Sequence, residues 1–199
     1  MKIRYNAPVV LTFTLLSTLV LILQQYTPLD VMQFFWVEPR FDLANPLWYF
    51  RLFSHVVGHG SPNPETGHWE GWQHLVGNFS FILLLGPILE EKYGSKDLLL
   101  MVLVTALITG LLQIIFFNSI LLGASGIVFM FILLSSITNS KGGIPLTFVL
   151  VAVLFLGKEI VQSFAVDQVS QFAHIIGGIL GAAFGFFMEG GAKKVANMS

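Results

Sequence analysis

Long apolar runs separated by short polar clusters follow one another along this chain at close to the length of a bilayer crossing. Six such runs occupy residues 7–26, 72–89, 98–117, 126–138, 144–161 and 170–188. A helix needs about 20 residues to cross the hydrocarbon core. The pattern therefore predicts an all-α membrane protein, a single domain over residues 1–199 built as a bundle of six transmembrane helices. The fourth run is short, and the fifth ends raggedly at Gly157-Lys158-Glu159, where Lys158 can reach the interface along its aliphatic stem. The first run follows Lys2 and Arg4 as the core of a signal peptide would. No small-x-small cleavage site comes after it, only Gln24-Gln25-Tyr26-Thr27-Pro28, so it reads as a retained first span.

Composition agrees with the pattern. The chain is 55% hydrophobic and 11% charged, against about a quarter charged in soluble domains. Its net charge is −1, without basic blocks, which argues against a nucleic-acid partner. With no cysteine there is no disulfide, no thiolate metal site and no cysteine nucleophile. Six spans starting from an inside N-terminus put Lys2, Arg4, Lys92, Lys96, Lys141, Lys193 and Lys194 on the cytoplasmic side, leaving Arg40, Arg51 and Lys158 on the other. That bias predicts that both termini are cytoplasmic.

The one long connection, residues 27–71, then lies on the outer side. It holds three of the four tryptophans, five prolines, and His55, His59 and His68. Such a composition suits a loop lying among lipid headgroups, with residues 47–57 apolar enough for one interfacial helix.

Polar residues inside apolar runs mark candidate chemistry. Ser125 lies fourteen residues above Asn139 at the cytoplasmic end of its run, and His174 fifteen above Glu189. At 1.5 Å per residue these are rises of about 21 and 22 Å. Asn78 and His74 stand twelve and sixteen residues above Glu90, or about 18 and 24 Å. All four converge on one layer roughly 6–12 Å below the outer face of a core about 30 Å thick. For Ser125 to begin its helix there, residues 118–124 must descend into the membrane, where irregular backbone survives only if it is buried in protein or lines water.

Each feature has a plainer reading. Gly123-Ala124-Ser125-Gly126 resembles ordinary small-residue helix packing, although free N–H groups at a helix start also attract developing negative charge. His174 is either a packed histidine or a neutral base. The stripe Gly177, Gly181, Gly185 permits close approach to another helix under both readings. His74 and Asn78, at i and i+4, share a face; they suit an oxyanion site or interhelical hydrogen bonding. No third ligand accompanies them, which argues against a metal. Asp167, seven residues before His174, falls in the outer loop and reads as solvated, which leaves a Ser–His dyad. The charges at Lys158-Glu159, Glu90-Glu91-Lys92 and Lys193-Lys194 read as interfacial.

Taken together, the chain resembles the rhomboid family of intramembrane serine proteases. The resemblance rests on Gly123-Ala-Ser125-Gly126, on Ala173-His174 with Gly177 and Gly181, and on His74-Leu-Val-Gly-Asn78. Arg51-Leu-Phe-Ser-His55-Val-Val-Gly-His59 resembles the family's first outer loop, and Glu91-Lys92-Tyr93-Gly94-Ser95 its turn between the second and third spans. It implies Ser125 as nucleophile and His174 as general base and acid. It further implies an oxyanion hole of His74, Asn78 and the Ser125 N–H, with His55 and His59 as structural or solvent-facing surroundings. The implied reaction is cofactor-free hydrolysis of peptide bonds in or near transmembrane segments of membrane-protein substrates. The implied setting is a bacterial inner membrane with the site opening outward. Two departures stand out: Phe129 occupies a position where the family often carries tyrosine, and the stretch 60–73 is long. The alternative class is a catalytically silent helix-binding relative or a small transporter using the same wet cavity. The fifth helix, polar at its outer end, suits a mobile lid.

Overall fold

A computed structural model describes the backbone of residues 4–138, 143–163 and 168–196. Its α-helices are α1 (Pro8–Tyr26), α2 (Pro46–Ser54), α3 (Trp72–Tyr93), α4 (Ser95–Phe116), α5 (Ser125–Ile137), α6 (Leu146–Ser163) and α7 (Gln168–Ala196). Six of them follow the six apolar runs to within a few residues, except that α7 continues eight residues further. The interfacial helix expected at 47–57 appears as α2, which is started by Pro46 and by the Asn45 side chain accepting the Leu47 N–H at 3.0 Å. The chain is a helical, multi-pass membrane protein. Among the described residues, α1, α3, α4 and α7 are long and apolar enough to cross a membrane, while α5 and the apolar part of α6, Leu146–Gly157, are shorter.

The short helix is the central one. Residues 126–134 of α5 are all buried, and α5 packs on α3, α4, α6 and α7. Its closest neighbour is α7, for a reason written in the glycines. A Cβ at Gly177 would overlap the Gly126 carbonyl, and one at Gly181 would overlap the Met130 carbonyl. Lipid tails supply no hydrophobic drive between helices, so close backbone packing of this kind holds them together.

Two polar ties fix one end of the bundle. There the Glu90 carboxylate, 4% exposed, accepts the Val9 and Val10 N–H groups at 2.9 and 3.1 Å. A side chain at the end of α3 thus satisfies the orphan donors in the first turn of α1. The Tyr93 and Thr138 hydroxyls, 3.1 Å apart, bring the end of α5 to the same place.

The other end carries residues 27–71, and here the sequence reading missed an element. Ser61–Pro62 pairs antiparallel with Trp69–Glu70 to make a small hairpin inside the long stretch. Gly60, with φ +97°, turns the chain into it, and Trp69 Nε1 ties it down by donating to the His59 carbonyl at 2.8 Å. Arg51 pins the rest of the loop, donating to the Gln33 carbonyl (2.7 Å) and to Glu38 (2.9 Å). Lys2, Lys141 and Asp167 lie outside the described residues.

Candidate active site

Ser125 opens α5, so its N–H occupies the first helical position and has no intrahelical acceptor. The loop delivering it is held at three points on the first long connection and at one on α4. Val37 and Leu121 exchange backbone hydrogen bonds (2.9 and 3.1 Å), and the Gly123 N–H donates to the His55 carbonyl at 2.9 Å. The Ala124 N–H reaches His59 Nε2 at 3.3 Å, and Gln113 Nε2 donates to the Ser119 carbonyl at 2.8 Å. Gly123 takes φ +118°, a region that suits glycine, and a Cβ there would strike the His74 ring. Leu121, Gly123 and Ala124 are buried, so the last part of this irregular segment is covered by protein.

Helices α3, α5 and α7 come together around the start of α5. Ser125 and Phe129 are one turn apart on the same face of α5. Phe129 lies flat against His174, with ring centroids 4.4 Å apart and planes 6° from parallel. The neighbours agree: the site of a Cβ on Gly126 would lie 3.4 Å from the Ala173 carbonyl, immediately before His174. Gly123, two residues before Ser125, lies against the His74 ring on α3. Ser125, His174, Phe129, His74, Gly123, Gly126 and Gly177 thus belong to one cluster, with Gly181 one turn further along the seam.

His74 accepts the Gly60 N–H at Nδ1, 3.4 Å away. That places its ring proton on Nε2, the edge that faces Gly123. Asn78 is buried, and its Nδ2 lies 3.1 Å from His59 Nε2. One amide hydrogen is spent on His59, and the second is left for another acceptor.

His59 joins these parts, and sequence reading did not find that role. Its Nδ1 donates to the Val57 carbonyl at 3.0 Å. Nε2 is therefore an acceptor, shared by Asn78 Nδ2 and the Ala124 N–H. The ring also packs on His74, centroids 4.9 Å apart, and on Phe79 at 5.5 Å. The solvent-facing alternative for His55 and His59 is corrected here: they are 1% and 0% exposed. Burial pushes His59 down to about 3, helped by the neighbouring His74, and burial lowers His55 to about 4. Both are neutral hydrogen-bonding groups at physiological pH. His55 Nδ1 lies 3.3 Å from the Arg51 carbonyl and Nε2 3.5 Å from Thr109 Oγ1 on α4. The signal available in sequence was the four-residue spacing from His55 to His59, but neither hydrogen-bond partner set could be read from it.

Among the described residues no three His, Asp or Glu side chains are placed to hold a metal ion. A protein-family model, the Rhomboid domain, matches residues 66–190. The match takes in His74, Asn78, the segment from Gly123 to Phe129, and His174 with its glycines, while Arg51, His55 and His59 precede it.

Proposed function

Because this chain belongs to the rhomboid family, we propose that it is an intramembrane serine endopeptidase working through Ser125 and His174. The observation that carries the reading is the Phe129–His174 stack one turn below Ser125. It holds an imidazole against the helix whose first residue is the serine.

In this reading His174 removes the Ser125 Oγ proton as the oxygen attacks a substrate carbonyl. The resulting oxyanion is met by the Ser125 N–H, by His74 Nε2–H and by the free Asn78 amide hydrogen. His174 then gives its proton to the leaving amine, and an acyl-enzyme remains. Water enters from the His74 side, where a cavity of about 540 Å³ reaches the ring. His174 deprotonates that water and the acyl group leaves, so neither metal nor cofactor is required. The six helices α1 and α3–α7 cross a bacterial inner membrane with both termini inside, and residues 27–71 lie outside. Substrates are transmembrane segments, admitted beside α6, which packs on α5 and α7.

The test is cleavage of a transmembrane reporter by purified protein in liposomes. Ser125→Ala and His174→Ala each abolish cleavage, and a fluorophosphonate probe labels Ser125 only while His174 is present. Cleavage unchanged in Ser125→Ala overturns the assignment. A folded wild-type protein that binds the reporter without cleaving it or labelling favours the silent helix-binding relative.

A further inference from the structure

The hairpin end of the bundle carries a second cavity, of about 680 Å³, within the range of ligand-binding clefts. Its walls include Gln25 at the end of α1, Asp30 in the turn that follows, Ser61 and Trp69 of the hairpin, and Ile120 and Leu122 just before Gly123. The 540 Å³ cavity ending on His74 shares Gln25, Gly60 and Ser61 with it. The two form one path around the hairpin from the outer rim to the candidate oxyanion residue.

Charge along this path has one sign. Asp30 and Glu70 line it, and no Lys or Arg does. Residues 27–71 contain five carboxylates and two guanidiniums, the latter at Arg40 and Arg51. Both guanidiniums are held by Glu38, away from the path.

We propose that this groove receives a basic, extended juxtamembrane segment of the substrate on the outer side. The inference rests on the proteolytic reading above and adds a specificity element to it. The acidic lining repels phosphate-bearing headgroups and attracts Lys and Arg. The absence of a three-ligand cluster among the described residues disfavours a bound metal ion as occupant. Continuity with His74 means that a chain lying here leads directly into the hydrolytic centre. Asp30 and Glu70 are exposed, so the attraction acts on capture and weakens as salt rises.

The test uses full-length protein in liposomes and three transmembrane reporters whose outer juxtamembrane segments are Lys-rich, neutral or Glu-rich. For wild type, KM for the basic reporter is about fivefold below that for the neutral one, with kcat within about twofold. Asp30→Asn/Glu70→Gln removes the difference, and Asp30→Lys/Glu70→Lys turns the preference toward the acidic reporter. Asp97→Asn, in the first turn of α4, leaves it intact. Fluorescence anisotropy with Ser125→Ala protein gives the same order of affinities without turnover. Equal affinities for the three reporters, or a preference that survives both double variants, overturn the groove. Charge-ordered binding with no cleavage by wild type overturns only the proteolytic reading, whereas cleavage with charge-blind binding overturns only the groove.

Discussion

Phe129 and His174 lie face to face across the α5–α7 seam, nearly parallel and 4.4 Å apart. The contact fixes the plane of the imidazole by packing. Phe129→Ala should therefore lower kcat by roughly 10- to 100-fold with a smaller effect on KM, the split expected when a base is mispositioned. Phe129→Tyr keeps the ring and should stay within a few fold of wild type. Steady-state cleavage of one reporter by the three forms checks both expectations.

His59 is a shared acceptor for Asn78 and for the backbone immediately before Ser125. His59→Ala leaves a buried amide and a buried N–H unpaired, and each such group costs about 1–3 kcal/mol. Thermal unfolding in detergent should move down by several degrees, and cleavage should fall at least about tenfold as Asn78 reorients. His59→Gln restores an acceptor and should recover part of both losses.

Six of the helices were legible because each is written in the sequence as an uninterrupted apolar run, the short α5 included. Counting residues along helices whose ends are marked by charge anticipated that α3, α5 and α7 meet near Gly123, Phe129 and His174. The hairpin was not legible: two-residue strands carry no periodicity, and the Pro62-Asn63-Pro64 stretch reads as loop. Nor was the role of His59, whose partners lie 19 and 65 residues away in sequence. Glu90 likewise read as an interfacial charge. Its function as a cap depends on α1 beginning beside it, a fact of tertiary packing.

Glu90→Gln replaces a charge-assisted acceptor for two backbone donors by a neutral one, and Glu90→Ala removes it. Stability should fall in the order wild type, Gln, Ala, with Ala losing about 2–5 kcal/mol. Glu90 is remote from Ser125, so the fraction of protein that remains folded should cleave at the wild-type rate. Denaturant titration alongside specific activity separates the two.

The pH dependence of stability follows from His55 and His59. Their folded values, about 4 and about 3, lie below the ordinary value of 6.5. Above pH 6.5 both are neutral whether the protein is folded or not, and stability is at its plateau with respect to them. Below it the unfolded chain takes up protons that the folded chain refuses, so stability falls by about 1.4 kcal/mol per pH unit for each ring. The decline due to His55 ends near pH 4 and that due to His59 near pH 3. Melting temperatures measured from pH 7.5 to 4 should drop below 6.5, and His59→Gln should roughly halve the slope.

Gly177 and Gly181 decide whether α7 can reach α5 at all. A methyl group at either would occupy the space of a backbone carbonyl, at Gly126 and at Met130 respectively. Neither carbonyl can swing aside, because each belongs to α5. The helices must instead separate by an ångström or more, and the two substitutions differ in what that separation does to chemistry. Gly177 is one turn from His174, so Gly177→Ala should lift the imidazole away from Ser125 and cut cleavage by about 100-fold or more. It should also lower stability by roughly 1–3 kcal/mol through lost packing. Gly181 sits a turn deeper, and Gly181→Ala should cost similar stability with a smaller loss of rate. Fluorophosphonate labelling reports the serine–histidine geometry and circular-dichroism melts report the fold. A Gly177→Ala protein that melts lower yet labels at the wild-type rate would show that the seam supports the bundle without setting the dyad.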